Sequence, residues 1–213
     1  MSRSVTPLVT GETYHIMNRG VDKRSIFLDK VDYFRFHTGI QSFNAVEKTG
    51  SIFELNFKDD WLSKQEPLVA VHAYCLLRNH FHLIVTQLID GGISEFMKRV
   101  SGGFTSYFNE RYDRSGALFQ GRFKRVHCET NEQLLYLAAY VNLNNIVHDR
   151  SEYCLSSVDT YLGKRDEPFV SRTIILDQHS SPQAFLENAN HTVTGIRDKR
   201  NLDKKYKSAS LLE

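Results

Sequence analysis

Residues 68–87 read LVAVHAYCLLRNHFHLIVTQ. The first half, Leu68 to Leu77, is a short apolar run with β-branched members, as in a buried strand. The second half, His80 to Gln87, alternates: His80, His82 and Ile84 share one face, and Phe81, Leu83 and Val85 the other. Arg78 and Asn79 make the turn between them. The stretch is a β-hairpin with two imidazoles at its mouth.

Working outward, Tyr14 to Asn18 (YHIMN) reads as a strand that leads into a polar turn through Gly20 and Asp22. From Val31 to about Lys48, Tyr33, Phe36, Ile40 and Phe43 recur at three- and four-residue steps, an amphipathic helix with Gly50 as its stop. A connection carrying Trp61 and Pro67 then reaches the hairpin. After Gly91 and Gly92, Ile93, Phe96, Met97, Val100, Phe104, Tyr107 and Phe108 fall on one helical stripe, in which Gly102 and Gly103 permit close packing or a kink. Arg122 to Glu129 is a fourth strand. Thr130 N-caps the next helix, with Gln133 completing a capping box. That helix, Asn131 to about His148, turns Leu134, Leu137, Ala138 and Val141 to the core and carries Tyr136, Tyr140 and Asn144 on a second stripe at four-residue steps.

The order β, α, β, β, α, β, α is that of a ferredoxin-like split βαβ. We therefore expect an α+β fold, a ferredoxin-like antiparallel sheet with helices on one face and the other face open to a ligand. The principal domain spans residues 1–150, and 151–213 form a small C-terminal extension. There Pro168 and Pro182 break the pattern, and RDKRNLDKKYK (197–207) reads as a charged, mobile tail.

With 213 residues, 41% hydrophobic and 24% charged, the chain is neither disordered nor fibrous. It has no apolar run near the roughly 18 to 20 residues of a membrane helix, and its start lacks the apolar core of a signal peptide, so a cytoplasmic location is expected. Cys75, Cys128 and Cys154 are too few and too scattered for a disulfide framework or a zinc finger. The net charge of +2 decides nothing by itself, but the basic residues cluster: Arg19, Lys23 and Arg24; Lys98 and Arg99; Arg122, Lys124 and Arg125. Such groups suit phosphates.

Two histidines at i and i+2 on a strand root roughly 6.5 to 7 Å apart on one face, a span that two side chains can close on one ion. If the last core helix packs its polar stripe there, Asn144 supplies an amide oxygen as third ligand and Tyr140 stands one turn away. A metal would act as a Lewis acid on a phosphoryl oxygen. A tyrosyl phosphodiester keeps a leaving group of pKa about 10, so the cut can be rejoined without a nucleotide cofactor, which favours strand transfer over hydrolysis. Tyr136 is the alternative nucleophile, but its i+4 neighbour is Tyr140, a poor ligand. His15, His72 and His127 read as structural histidines. Around GALFQGRFKR (116–125), Phe119, Gln120, Arg122 and Lys124 are candidate DNA contacts, as are Arg19, Lys23 and Arg24; Phe119 and Phe123 serve equally well as core.

HAYCLLRNHFHLIV (72–85), GALFQGRFKR and LAAYVNLNN (137–145) resemble the signature segments of REP-associated tyrosine transposases, IS200-like members of the single-tyrosine HUH endonuclease superfamily. MNRGVDKRSIF (17–27) and SSVDTYLGKRDEPFV (156–170) are similar as well, so the likeness covers most of residues 11–172. It departs at Arg78 and Asn145, where the family commonly has proline. The resemblance implies a catalytic domain that cuts and rejoins single-stranded DNA beside hairpin-forming repeats through a 5′-phosphotyrosine. His80, His82 and Asn144 match the family's metal ligands and Tyr140 its nucleophile. The implied ion is Mg2+ or Mn2+, where two imidazoles alone would suggest zinc. A monomer or a homodimer fits, and a domesticated hairpin DNA- or RNA-binding protein without turnover is the alternative.

Overall fold

The hairpin read from residues 68–87 forms the middle of the sheet in a computed structural model that describes residues 7–47, 50, 65–148 and 153–209, with 202–209 as backbone alone. Strand β1 (Thr13–Arg19) precedes it; β2 (Val69–Leu77) and β3 (His80–Gln87) pair antiparallel around Arg78 and Asn79. With β4 (Lys124–His127) and the two-residue β5 (Leu155–Ser156), the sheet runs β4-β1-β3-β2-β5, and every pairing between these strands is antiparallel. The first four strands have the ferredoxin-like arrangement, and the fold is α+β.

Helix α1 (Lys30–Ser42) is capped by Asp29, whose carboxylate accepts from the N–H groups of Val31 at 2.9 Å and Asp32 at 3.2 Å. Helix α2 (Gly92–Arg111) lies against it on the Phe81 side of the sheet. There the Phe36 ring meets Phe81 at 4.9 Å and Phe104 at 5.1 Å. Gly103 lets the two helices approach: a Cβ at that position would meet the Phe43 ring at 2.9 Å. The helix runs through it unbroken. Helix α1 ends earlier than its apolar spacing suggests, because Asn44 turns the chain away. Its amide donates to the Val69 carbonyl at 2.8 Å and accepts from the Val69 N–H at 3.0 Å. Lys48 and the Trp61 connection lie outside the described residues.

Helix α3 (Asn131–Asn142) starts at Thr130, whose hydroxyl accepts from the Gln133 N–H at 3.2 Å, while Gln133 reaches back to the Glu129 N–H at 2.8 Å. It packs on β2 and β3 from the face opposite α1 and α2, so the side expected to stay open is partly roofed by the helix that carries Tyr140. It also stops short of His148. Asn142, fully buried, donates to the Ala138 carbonyl at 3.0 Å and accepts from the Ser157 hydroxyl at 2.7 Å. A side chain that competes for helix carbonyls favours an end. A separate turn, α4 (Asn144–Val147), follows.

Beyond β5 come two single turns, α5 (Val158–Tyr161) and α6 (Thr173–Leu176), then α7 (Pro182–Ala209). Pro182 opens this helix instead of breaking the pattern, as proline does in a first turn, and Ser181 accepts from the Ala184 N–H at 3.1 Å. Residues 197–207, expected as a charged, mobile tail, belong to α7. Phe185, Ala189 and Val193, four residues apart, form the buried stripe that seats it on α3. Among the described residues no helix is long and apolar enough to cross a membrane.

Candidate active site

The pleat of β3 sends Phe81 into the aromatic core and His82 to the other face, under α3. His80 and His82 stand edge to face, ring centroids 5.1 Å apart. Each engages its Nδ1. His80 Nδ1 lies 2.7 Å from Asn79 Oδ1. Because the Asn79 side-chain N–H goes to the Lys23 carbonyl at 3.1 Å, its oxygen faces the imidazole, and His80 donates to it from Nδ1. His82 Nδ1 lies 2.8 Å from His15 Nε2. His82 Nε2 is buried without a hydrogen-bond partner. Burial, then the neighbouring imidazoles, push the His82 pKa well below its ordinary value, and burial takes His15 down to about 4. Burial therefore favours the neutral form of both rings.

Tyr140 comes down from α3 with its ring edge-on to His82 (centroids 5.5 Å, 87°) and to His15 (6.1 Å, 76°). All three members Tyr140, His80 and His82 line one cleft of about 400 Å3. Its rim is basic: Arg19, Lys23 and Lys124 line it, with Gln120 accepting from Arg19 Nη2 at 2.8 Å. Lys23 reaches the rim through an uncommon backbone: Asp22 and Lys23 have φ of 54° and 61°, left-handed values that cost side-chain-bearing residues energy. Asn79 holds that turn and His80 together.

The other expected residues divide. Tyr136 is 48% exposed and lines a different cleft, between α3 and α7, with Phe185 and Ala189. Arg24 and Arg122 are exposed but do not line the histidine cleft. Phe119 is 7% exposed and packs on Phe81 at 5.7 Å, which matches the core alternative of its two readings. Asn144 departs most. The break after Asn142 takes it off the Tyr140 stripe, it is 0% exposed, and it does not line the cleft. It stays near the histidines, since its backbone N–H meets the thiol of Cys75, the cross-strand partner of His82. Both polar atoms of its side chain are buried without partners.

Three contributors escaped the sequence reading. From the sequence, Asn79 reads only as a turn residue and His15 only as structural. His148, also in the cleft lining, has its Nδ1 held at 2.7 Å by Arg200 of α7, a contact across 52 residues that no local pattern signals.

A divalent ion fits what is present. His82 Nε2 and both polar atoms of the Asn144 side chain are buried without hydrogen-bond partners, and His80 shares the cleft with His82. The donors are two imidazoles and a carboxamide; among the described residues no cluster of three His, Cys, Asp or Glu side chains is placed to hold a metal.

The ferredoxin-like fold has a solved counterpart. The structure described as "Structure of the REP associates tyrosine transposase bound to a REP hairpin" shares the fold at a TM-score of 0.51 and 16% identity, over 79% of this chain and 90% of that one. Residues 9–144 match the family described as "Transposase IS200 like", and the chain belongs to that family. No curated protein matches it.

Proposed function

We propose that this chain is a divalent-ion-dependent endonuclease and strand-transferase, acting on single-stranded DNA at hairpin-forming repeats with Tyr140 as nucleophile. The observation that carries the reading is the meeting of the Tyr140 ring with His82, whose Nε2 is buried without a partner, on a cleft rimmed by Arg19, Lys23 and Lys124. The solved relative was captured on a REP hairpin, which motivates the choice of substrate.

His80, His82 and Asn144 would hold Mg2+ or Mn2+, which when bound supplies Lewis-acid polarisation of a phosphoryl oxygen. Arg19, Lys23 and Lys124 bind phosphates of the strand and set its register. Tyr140 loses its phenolic proton, and its Oη forms a bond to the scissile phosphorus. The bond from phosphorus to the 3′-oxygen breaks, and that oxygen leaves with a proton as a 3′-hydroxyl. A 5′-phosphotyrosine remains, and attack by a 3′-hydroxyl reverses the step and joins strands. The protein works in the cytoplasm as a monomer or a homodimer.

One observation favours the second reading, hairpin binding without turnover: Asn144 is sealed away from the cleft. The test is a denaturing gel with labelled hairpin oligonucleotides in Mg2+ or Mn2+. Wild type is expected to form a covalent adduct, and Tyr140→Phe to lose it, roughly ten-thousandfold or more, while still binding the hairpin. Tight binding with no adduct in either ion supports the second reading, and adduct persisting in Tyr140→Phe moves the nucleophile elsewhere.

A further inference from the structure

We infer that His15 is a positioning residue for metal binding: it accepts the Nδ1–H of His82 and thereby fixes His82 Nε2 as the lone-pair nitrogen offered to a divalent cation. The inference deepens the functional reading above and rests on its assignment of His82 as a ligand.

The strand register builds the pair. His15 stands opposite Ile84 and Met17 opposite His82, which makes His15 and His82 diagonal neighbours on one face of β1 and β3. Their rings stack at 5.0 Å with 21° between planes, and the two nitrogens lie 2.8 Å apart. Both residues are buried, 4% and 5% exposed.

Two neutral imidazoles share one proton across that contact, and it can sit in two ways. If His15 donates, the His82 proton is on Nε2, where it is a buried N–H with no acceptor and cannot ligate. If His82 donates, Nε2 carries a lone pair. A cation binds only the second arrangement and selects it through that difference in affinity. Ligating histidines are usually oriented by a carboxylate or a carbonyl at the other ring nitrogen. Here a second histidine takes that place, and its ring also supports Tyr140 edge-on, so one residue aligns ligand and nucleophile.

The test measures Mn2+ alone binding to the full-length metal-free protein, by calorimetry and by electron paramagnetic resonance of free Mn2+, without DNA or turnover. His15→Leu is expected to weaken Mn2+ about 10- to 100-fold. His15→Gln, whose side-chain oxygen reaches the position of Nε2, keeps most of the affinity. His15→Asn, one carbon shorter, behaves like leucine and preserves a polar core should the leucine variant fail to fold. With Mg2+ bound, long-range proton–nitrogen spectra should show the His82 proton on Nδ1 in wild type. Wild-type affinity in the leucine and asparagine variants, or equal losses in all three, overturns the inference. Mn2+ binding that depends on His15 in a protein forming no tyrosyl adduct leaves it standing and removes the cleavage reading instead. A wild type that binds no Mn2+ ends both.

Discussion

The two ends of the central hairpin each bury a histidine, and the two are equally hidden, His72 at 4% exposure and His82 at 5%. They differ in what their nitrogens meet. At the open end, His72 gives its Nδ1–H to the Ser171 carbonyl at 2.8 Å and accepts the Thr86 hydroxyl on Nε2 at 2.7 Å. At the turn end, His82 meets His15 on one nitrogen and nothing on the other. Burying a polar atom without a partner costs about 1–3 kcal/mol. The fold satisfies one imidazole fully and leaves the other half satisfied, and under the proposed function a bound cation would supply the missing partner.

The largest effect that could break this contrast is kinetic. His82→Leu should slow tyrosyl adduct formation roughly a thousandfold, several kcal/mol of lost transition-state stabilisation, while hairpin binding through the basic rim survives. Single-turnover adduct assays with binding measured in parallel check it. An undiminished rate would show that the orphaned nitrogen has no role in the chemistry.

Next in size is Asn144→Leu, a stability measurement of unusual sign. Most core substitutions destabilise. Here a similar-sized apolar side chain replaces an amide with two unpaired atoms, so the unfolding free energy in metal-free buffer should rise by about 1 kcal/mol while Mn2+ affinity falls. A loss of stability would mean that the amide is already paired, which would leave the site without its third donor.

Much of the frame was legible because its signals are local. The Phe81/His82 alternation is a period of two over eight residues, and the apolar spacing of α2 and α3 is a period of 3.6; neither needs a distant partner to be read. The misses all depend on one. Helix α3 breaks because Asn142 bonds Ser157, fifteen positions on. His15 acquires its role from His82, separated by 67 residues. Helix α7 was hidden by Pro182 and a charged end, since its stripe of Phe185, Ala189 and Val193 is sparse and finds its partner only on α3. Phe119, flanked by basic residues, suited core and DNA equally until the Phe81 ring claimed it. At the site, residue types and strand face were readable, but the hydrogen-bond accounting that separates His82 from His72 was not.

The smallest effect tests the satisfied member of the pair. Burial lowers the His72 pKa, and its bond to the Ser171 carbonyl only partly offsets that. In the unfolded chain the ring titrates near the ordinary histidine value of about 6.5. Below that pH the unfolded state takes up a proton that the folded state refuses, so the contribution of His72 to stability is complete above about pH 6.5 and is lost as the pH falls towards the lower folded value. The slope from one group cannot exceed about 1.4 kcal/mol per pH unit. His72→Gln removes the titration and keeps polar atoms in the gap. Urea midpoints of wild type and variant should therefore converge between pH 7 and pH 5, the wild type falling faster. Parallel curves would mean that the buried imidazole takes up its proton in the folded state as readily as in the unfolded one, and the contrast between satisfied and unsatisfied histidines would then need a different physical basis.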